Sequence, residues 1–402
     1  MSVQKALEDI TRGIEKDNII GLDRIEELIK RYYESGEEFT VKFGMDPTSA
    51  DIHLGHSVVL NRLATFQKHG GRVQLLIGDF TATLGDPSGR DKTRPMISKE
   101  EVEKNAGTYK EQAFKILDPD KTTVYYNSTW TDELGTRGLV ELSSHYNVAR
   151  MLERDDFDKR YKSGESISVM EFLYPLLQGY DSVALKSDIE LGGTDQRFNL
   201  FMGRHLQKEY GVGKQQSILM LPLLEGLDGV EKMSKSKNNY IGIDEEPKDI
   251  YAKLLSISDE LMWRYYELLS QKSSQEIEEL KQGVEDGTLH PKKVKEALAL
   301  EITEKFSSKE DALKAQEAFE LQFKKKEIPD DIPEFTLESG IWICKALQEC
   351  NLEPSTSQAR RDIKQGAVKI DQKKVEDEQL KLEAGEYVLQ VGKRKFAKVK
   401  VG

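Results

Sequence analysis

The chain has 402 residues, enough for two or three domains with a substantial core. It is 38% hydrophobic and 32% charged, an ordinary globular composition, and its net charge of −12 argues against a generic nucleic-acid-coating protein. Two cysteines, Cys344 and Cys350, are too few for a disulfide framework and read as buried free thiols, and no apolar run approaches the roughly 18 residues that cross a membrane.

The opening MSVQKALEDITRGIEKDN lacks the apolar core of a signal peptide and is not an Arg/Ser-rich transit sequence, so a cytosolic, cytoplasmic protein is expected. The first 35 residues read as helix. From Phe39 the pattern alternates. FTVKF (Phe39–Phe43) reads as a strand that stops at Gly44, and LGHSVVLNRLATFQKHGG as a helix closed by Gly70 and Gly71. VQLLIGDF (Val73–Phe80) is a buried strand. SKEEVEKNAGTYKEQAFKIL is a helix with Ser98 as cap. TTVYYN, SDIELGG and SILMLPLL complete the strands. Strands alternating with helices predict an α/β fold with a doubly wound, Rossmann-like parallel sheet, which binds ligands beyond the carboxyl ends of its strands. The dinucleotide fingerprint and the P-loop are both absent.

After about Glu245 the character turns helical and charged. KKKEIPDDIPEF (Lys324–Phe335) is a Pro-punctuated linker, and a small α/β module follows. The expected division is 1–230 for the catalytic sheet domain with N-terminal helices, 231–325 for a loop and helical domain, 326–335 for the linker and 336–402 for the last module. From Glu334 onward there are 13 Lys/Arg and 11 Asp/Glu, a local +2, which leaves −14 on the preceding 333 residues. The tail is the only part with locally basic character.

Three stretches carry chemistry. In DPTSADIHLGH (Asp46–His56), His53 and His56 stand three apart where a helix begins. They fit a metal pair, two surface histidines, or an anion site in which helix N–H groups attract phosphate and imidazoles add donors. In the last case Gly55 lets a flat ligand approach the backbone. EKMSKSKNN (Glu231–Asn239) reads as a mobile loop whose Lys232 and Lys235 can grip phosphates. In YPLLQGYD, Tyr174, Gln178 and Asp181 recur at i, i+4 and i+7 and share one helix face.

HLGH and KMSKS, in this order around an alternating α/β region, resemble the two signature motifs of class I aminoacyl-tRNA synthetases. With KFGMDPT, GDFTATLGDPSG, YPLLQGYD and GGTDQRFN, the chain resembles the bacterial tyrosyl-tRNA synthetase family over essentially its whole length. The resemblance implies activation of L-tyrosine by ATP with Mg2+, transfer to tRNA(Tyr), and a homodimer with tRNA crossing between subunits. It implies no metal held by the protein itself and no membrane. It implies that Asp181 accepts the phenolic hydroxyl while Tyr174, Gln178 and Asp86 hold the α-ammonium group. Thr48 and His53 would contact the outer phosphates, and Gly55 and His56 would lie by the ribose and adenine. The backbone at Gly44 and Asp46 would approach the α-phosphate. Gly193, Asp195 and Gln196 would meet the ribose and the tyrosine carboxylate end. Lys232, Met233, Ser234, Lys235 and Ser236 form the second signature; its lysines, with Arg90 and Arg94, would hold the departing pyrophosphate.

One departure concerns Lys42. The better-known branch of the family has a phenol-binding tyrosine there, and this chain resembles the branch with lysine. Lys42 can approach the phenol, approach Asp181, or point elsewhere. The tail string PSTSQARRDIKQGAVKIDQKKV (Pro354–Val375) resembles an S4-type RNA-binding module. Ser357 is expected to cap a helix whose Arg360, Arg361 and Lys364 meet tRNA phosphates. Rival readings are another adenylylating nucleotidyltransferase, a noncatalytic RNA-binding relative and a tryptophan enzyme. KMSKS, the intact motif residues and the Tyr174/Gln178/Asp181 face speak against them.

Overall fold

Residues 2–88, 97–326, 332–392 and 395–402 are described by the computed structural model, and the chain falls into two compact units, 1–315 and 316–402. In the first unit the apolar runs become β1 (Ile19–Ile20), β2 (Phe39–Met45), β3 (Gly71–Ile77), β4 (Thr122–Tyr126), β5 (Ile189–Gly193) and β6 (Ser217–Leu221). Their order is β1-β6-β5-β2-β3-β4. β2 to β6 pair in parallel, and β1 joins the edge antiparallel. The central strands are apolar on both faces, with Leu75, Ile77, Leu191 and Met220 all buried, as a sheet covered on both sides requires. β2 follows β3 along its whole length but meets β5 at only two positions, Val41↔Ile189 and Lys42↔Glu190. Beyond Lys42 the two strands part. The chain leaves β2 toward β3 on one side and returns to β5 on the other, so this parting is the topological switch point of the sheet.

Among the helices before and between these strands are, in chain order, α1 (Val3–Thr11), α2 (Leu22–Ser35), α3 (Leu54–Lys68), α4 (Lys99–Ala113), α5 (Ser128–Ser144), α6 (Val169–Leu185) and α7 (Arg197–Glu209). The first 35 residues are therefore not one helix. Ile19 and Ile20 leave the helical path to pair with Leu219 and Ile218 of β6, a long-range choice that local periodicity does not register. α3 is held by Leu54, Leu60, Leu63 and Phe66, all fully buried, each contributing about 1.5–3 kcal/mol by burial. This fixes where its N-terminus points.

After β6 come α8 (Pro247–Ser256), α9 (Asp259–Leu269), α10 (Ser274–Glu285), α11 (Pro291–Phe306) and α12 (Lys309–Lys326). Tyr265 and Tyr266 are buried there with their hydroxyls bonded to the carbonyls of Glu225 and Val294, each at 2.8 Å. The second unit holds β7 (Glu334–Leu337), β8 (Ile341–Trp342), α13 (Ile343–Glu349), α14 (Thr356–Lys364), β9 (Val368–Ile370), β10 (Lys373–Lys374), β11 (Lys381–Leu382), β12 (Gly385–Val391) and β13 (Lys395–Val401). Its main sheet runs β10-β9-β12-β13-β7. Cys344 and Cys350 are free thiols in its core, and burial pushes the Cys350 thiol up to about 11.

Candidate active site

Where β2 and β5 part, a cleft of about 490 Å3 opens. Gly44, Asp46, Thr48, His53, Gly55 and His56 enter it from the end of β2 and the start of α3. Tyr174, Gln178 and Asp181 enter from α6, and Gly193, Asp195 and Gln196 from the end of β5. Asp86 follows the one-turn helix Thr81–Leu84, and Lys232, Met233, Ser234, Lys235 and Ser236 form part of the wall. Every catalytic, ATP-site and tyrosine-site candidate among the described residues thus lines one cleft. Arg90 and Arg94 lie outside the described residues.

The helix mouth is built by the histidines themselves. His53 is the N-cap of α3, with extended backbone (φ −120°, ψ 171°), and its Nδ1 accepts the Gly55 N–H at 3.2 Å. His56 returns the bond, its Nδ1 accepting the His53 N–H at 3.3 Å. Both rings therefore carry their proton at Nε2. Burial, then the His56 ring and Lys232 and Lys235, push the His53 pKa down to about 2; burial and the same lysines push His56 down to about 4. At neutral pH both are uncharged N–H donors at the positive end of a helix, an arrangement suited to an anion. His53 is only 8% exposed, which removes the surface-histidine reading. Among the described residues no group of three His, Cys, Asp or Glu side chains forms a metal-holding cluster. Gly55 has a nearer cause than a flat ligand. A Cβ there would lie 2.9 Å from His53 Cε1 and 3.0 Å from its Nδ1, so the capping imidazole requires the bare backbone.

The other end of the cleft is a carboxylate network. Asp181, 2% exposed, accepts from Trp130 Nε1 at 2.8 Å and from Asn127 Nδ2 at 3.4 Å. Burial raises its pKa to about 7, opposed first by Lys42 and then by these two bonds. The Tyr174 hydroxyl donates to Asp46 Oδ2 at 2.7 Å, and Thr81 Oγ1 donates to Asp46 Oδ1 at 2.8 Å. Burial beside Asp46 and Asp86 holds the Tyr174 phenol well above its ordinary pKa, so it stays a donor. Gln196 Nε2 donates to Asp86 Oδ2 at 2.7 Å, and Asn199 Nδ2 donates to Gln178 Oε1 at 2.8 Å. Lys42 is part of the cleft wall, and its Nζ is held there by Glu190 and Ser182, each at 2.8 Å. Sequence reasoning missed Asn127, Trp130, Thr81 and Asn199. Each is a single polar or aromatic residue with no periodic partner, and only the fold brings it to the carboxylates.

The arrangement offers an acceptor deep in the cleft, acidic groups suited to an ammonium ion beside it, and neutral donors suited to phosphate at the helix mouth. The KMSKS segment is less free than its sequence suggests. Met233 is fully buried, the Ser234 N–H donates to Asn239 Oδ1 at 2.8 Å, and Asn239 Nδ2 donates to Asp228 Oδ2 at 2.6 Å. Lys232 pairs with Asp195 and Lys235 with Asp51.

In the second unit Ser355, not Ser357, caps α14. Ser355 has the extended backbone of a cap (φ −157°, ψ 156°), and its Oγ accepts the Gln358 N–H at 3.2 Å, whereas Ser357 already lies inside the helix. Arg361 donates to Gln358 Oε1 at 2.6 Å. Lys364 lies 3.2 Å and Arg360 3.9 Å from Glu378, which dilutes this basic face.

The chain matches the family described as tRNA synthetases class I (W and Y) over residues 34–324 and the tyrosine–tRNA ligase SYY-like C-terminal domain over residues 324–399. It is 63% identical over 399 residues to the tyrosine–tRNA ligase of Sulfurimonas denitrificans, covering 99% of this chain and 100% of that one. It is 61% identical over 401 residues to the enzyme of that name from Campylobacter jejuni, covering 100% of both. The fold is similar to that of Archaeoglobus fulgidus tyrosyl-tRNA synthetase solved with L-tyrosine (TM-score 0.60, 23% identity, 78% of this chain and 99% of that one). It is also similar to a C-terminally truncated mitochondrial tyrosyl-tRNA synthetase from Aspergillus nidulans (TM-score 0.66, 20% identity, 80% and 94%).

Proposed function

The chain belongs to the class I tRNA synthetases, within the tyrosine–tRNA ligases, and on that premise we propose how its cleft joins tyrosine to ATP and then to tRNA(Tyr). The tyrosine carboxylate is ionised at pH 7, so its attack on the α-phosphate needs no general base. It needs alignment and stabilisation of charge. Asp181 accepts the phenol, and Tyr174, Gln178 and Asp86 hold the α-ammonium group. The α3 mouth takes the nucleotide, with His53 and Thr48 on the outer phosphates, Gly55 and His56 by the ribose and adenine, and Asp195 and Gln196 toward the ribose and tyrosine carboxylate. A carboxylate oxygen bonds to the α-phosphorus. The bond from that phosphorus to the bridging oxygen breaks, and pyrophosphate leaves with the electron pair toward Lys232 and Lys235. A terminal ribose hydroxyl of the tRNA then attacks the tyrosyl carbonyl and AMP departs.

Mg2+ carried by the ATP phosphates would offset part of their charge. Arg360, Arg361 and Lys364 on α14 are the phosphate contacts of the second unit, and the protein works in the cytoplasm as a homodimer. The observation that supports the reading most is the convergence in one cleft of a buried carboxylate ringed by donors and a helix mouth capped by two neutral imidazoles. The test is ATP–pyrophosphate exchange with each of the twenty amino acids, without tRNA. Exchange with tyrosine alone supports both chemistry and pocket. Exchange with another amino acid overturns the role of Asp181.

A further inference from the structure

Lys42 is fully buried, an arrangement that is costly unless the charge is matched. Here the match is complete. Its Nζ lies 2.8 Å from Glu190 Oε1 and donates to Ser182 Oγ at 2.8 Å. Ser182 Oγ donates onward to Glu190 Oε2 at 3.1 Å, and Gln216 Nε2 donates to the same oxygen. Lys42 and Glu190 are register partners and form the last paired position before β2 and β5 part. Both side chains line the cleft, and Ser182 follows Asp181 on α6. A well-packed apolar pair would join the two strands at least as well, and the adenylate chemistry above makes no use of these charges.

We propose that the Lys42–Glu190 pair is a positioning device for the substrate phenol: it fixes an ammonium beside Asp181 so that this carboxylate meets tyrosine as an acceptor, and thereby contributes to selection of tyrosine over phenylalanine. The inference rests on Asp181 being the phenol acceptor. Asp181 is bonded to Asn127 and Trp130 at the start of α5, and the charged or titratable groups that act on it through space are Lys42 from β2, Glu190 from β5 and Tyr174 on its own helix. Lys42 acts on Asp181 more strongly than Glu190 does. Lys42, Glu190 and Asp181 line the same cleft, and Ser182, bonded to both members of the pair, is the residue next to Asp181 on α6, so the ammonium is held where it favours the ionised carboxylate. Without it, Asp181 holds its proton to higher pH and offers a donor where the phenol requires an acceptor.

The test is a double variant, Lys42→Met with Glu190→Gln, which removes both charges and leaves no orphaned ion. Exchange with tyrosine and with phenylalanine is followed from pH 6 to 9. The expected result is a fall in the tyrosine-to-phenylalanine ratio of kcat/KM of about fivefold near pH 7, approaching about tenfold at pH 6, the equivalent of one pKa unit of coupling at Asp181. The loss should shrink toward pH 9 as Asp181 ionises, with the KM for ATP unchanged. Ser182→Ala, which removes one acceptor of the ammonium, should shift the ratio in the same direction by less. An unchanged ratio and acid limb in the folded double variant overturns the proposal, and so does an equal, pH-independent loss with both amino acids. If the double variant does not fold, an unchanged ratio in Ser182→Ala overturns it. Absence of tyrosine-dependent exchange in the wild-type protein would instead remove the reading on which the proposal rests.

Discussion

His53 caps α3 and, in the function proposed, also donates to the ATP phosphates; one substitution removes both roles and two others separate them. Its Nδ1 caps α3 through the Gly55 N–H, and this fixes the proton on Nε2, the nitrogen left for a ligand. Loss of the cap in His53→Ala should cost about 1 kcal/mol of stability, read as a lower urea midpoint. Loss of a preorganised donor to the departing phosphates should cost about 10²–10³ in the rate of adenylate formation, or roughly 2.7–4 kcal/mol. The tyrosine end of the cleft is made by other elements, so tyrosine affinity by equilibrium dialysis should change by less than about 1 kcal/mol, below the cost of one lost hydrogen bond. In His53→Asn the amide oxygen can stand in for Nδ1, so stability should return while the rate stays low. In His53→Gln the amide N–H reaches toward the Nε2 position, so part of the rate should return without the cap. With a pKa of about 2, His53 is neutral across the working range, and its titration should contribute no acid limb between pH 5 and 7. An equal loss of rate and tyrosine affinity in His53→Ala, or full recovery of rate in His53→Asn, refutes the division of labour.

Gly78→Ala should place a methyl group into Asp46 Oδ1 and Thr81 Oγ1. Displacing Asp46 removes the charged acceptor of the Tyr174 hydroxyl, at about 1.5–3 kcal/mol, so the KM for tyrosine in pyrophosphate exchange should rise by about tenfold or more; an unchanged KM contradicts it. Asp181, with a pKa of about 7, should release up to about half a proton at pH 7 when a phenol donates to it. Calorimetry in buffers of different ionisation enthalpy measures this release, which should vanish near pH 9 and be absent with phenylalanine; tyrosine affinity should weaken as pH falls below 7. The same raised pKa means the native state binds the extra proton between the ordinary carboxylate range and pH 7, so this group's contribution to stability falls as pH rises through that window. Deletion of residues 335–402 should spare adenylate formation and impair tRNA charging, and full charging by the truncated chain would contradict the role of the second unit.

What the sequence shows and what it hides divide along a physical line. The parallel sheet was legible because its buried strands are apolar runs, and the helix mouth and KMSKS wall of the cleft because HLGH and KMSKS are contiguous strings whose chemistry is local. The shared face of Tyr174, Gln178 and Asp181 was legible because helical geometry dictates it. Long-range pairing was not. The edge strand Ile19–Ile20 exists only because β6 accepts it. Trp130 and Asn127 matter because α5 begins beside Asp181, and the destination of Lys42 depends on Glu190 standing opposite it across a strand pair. The cap of α14 went to Ser355 rather than Ser357, a two-residue error of the kind helix ends invite.

The cleft is graded in how firmly its charges are held, and the grading suits a reaction in which one end must recognise and the other must move. At the tyrosine end, Lys42 and Glu190 are buried and joined by Ser182 and Gln216. Removing one member would strand the other in a low-dielectric site, at about 3–5 kcal/mol, so this charge does not rearrange during turnover. At the nucleotide end, Lys232 is 52% exposed where it meets Asp195, and Asp51 is 49% exposed where it meets Lys235. Pairs that open to water are worth at most about 1 kcal/mol each. A triphosphate brings several negative charges to the same lysines, so it can draw them from Asp195 and Asp51 at little cost. In the function proposed, releasing Lys232 also frees the Asp195 carboxylate for a ribose hydroxyl. On the proposed reading, entry of the nucleotide and reorganisation of the KMSKS lysines are one exchange of ion pairs, while the buried Lys42–Glu190 end of the cleft keeps its charges fixed.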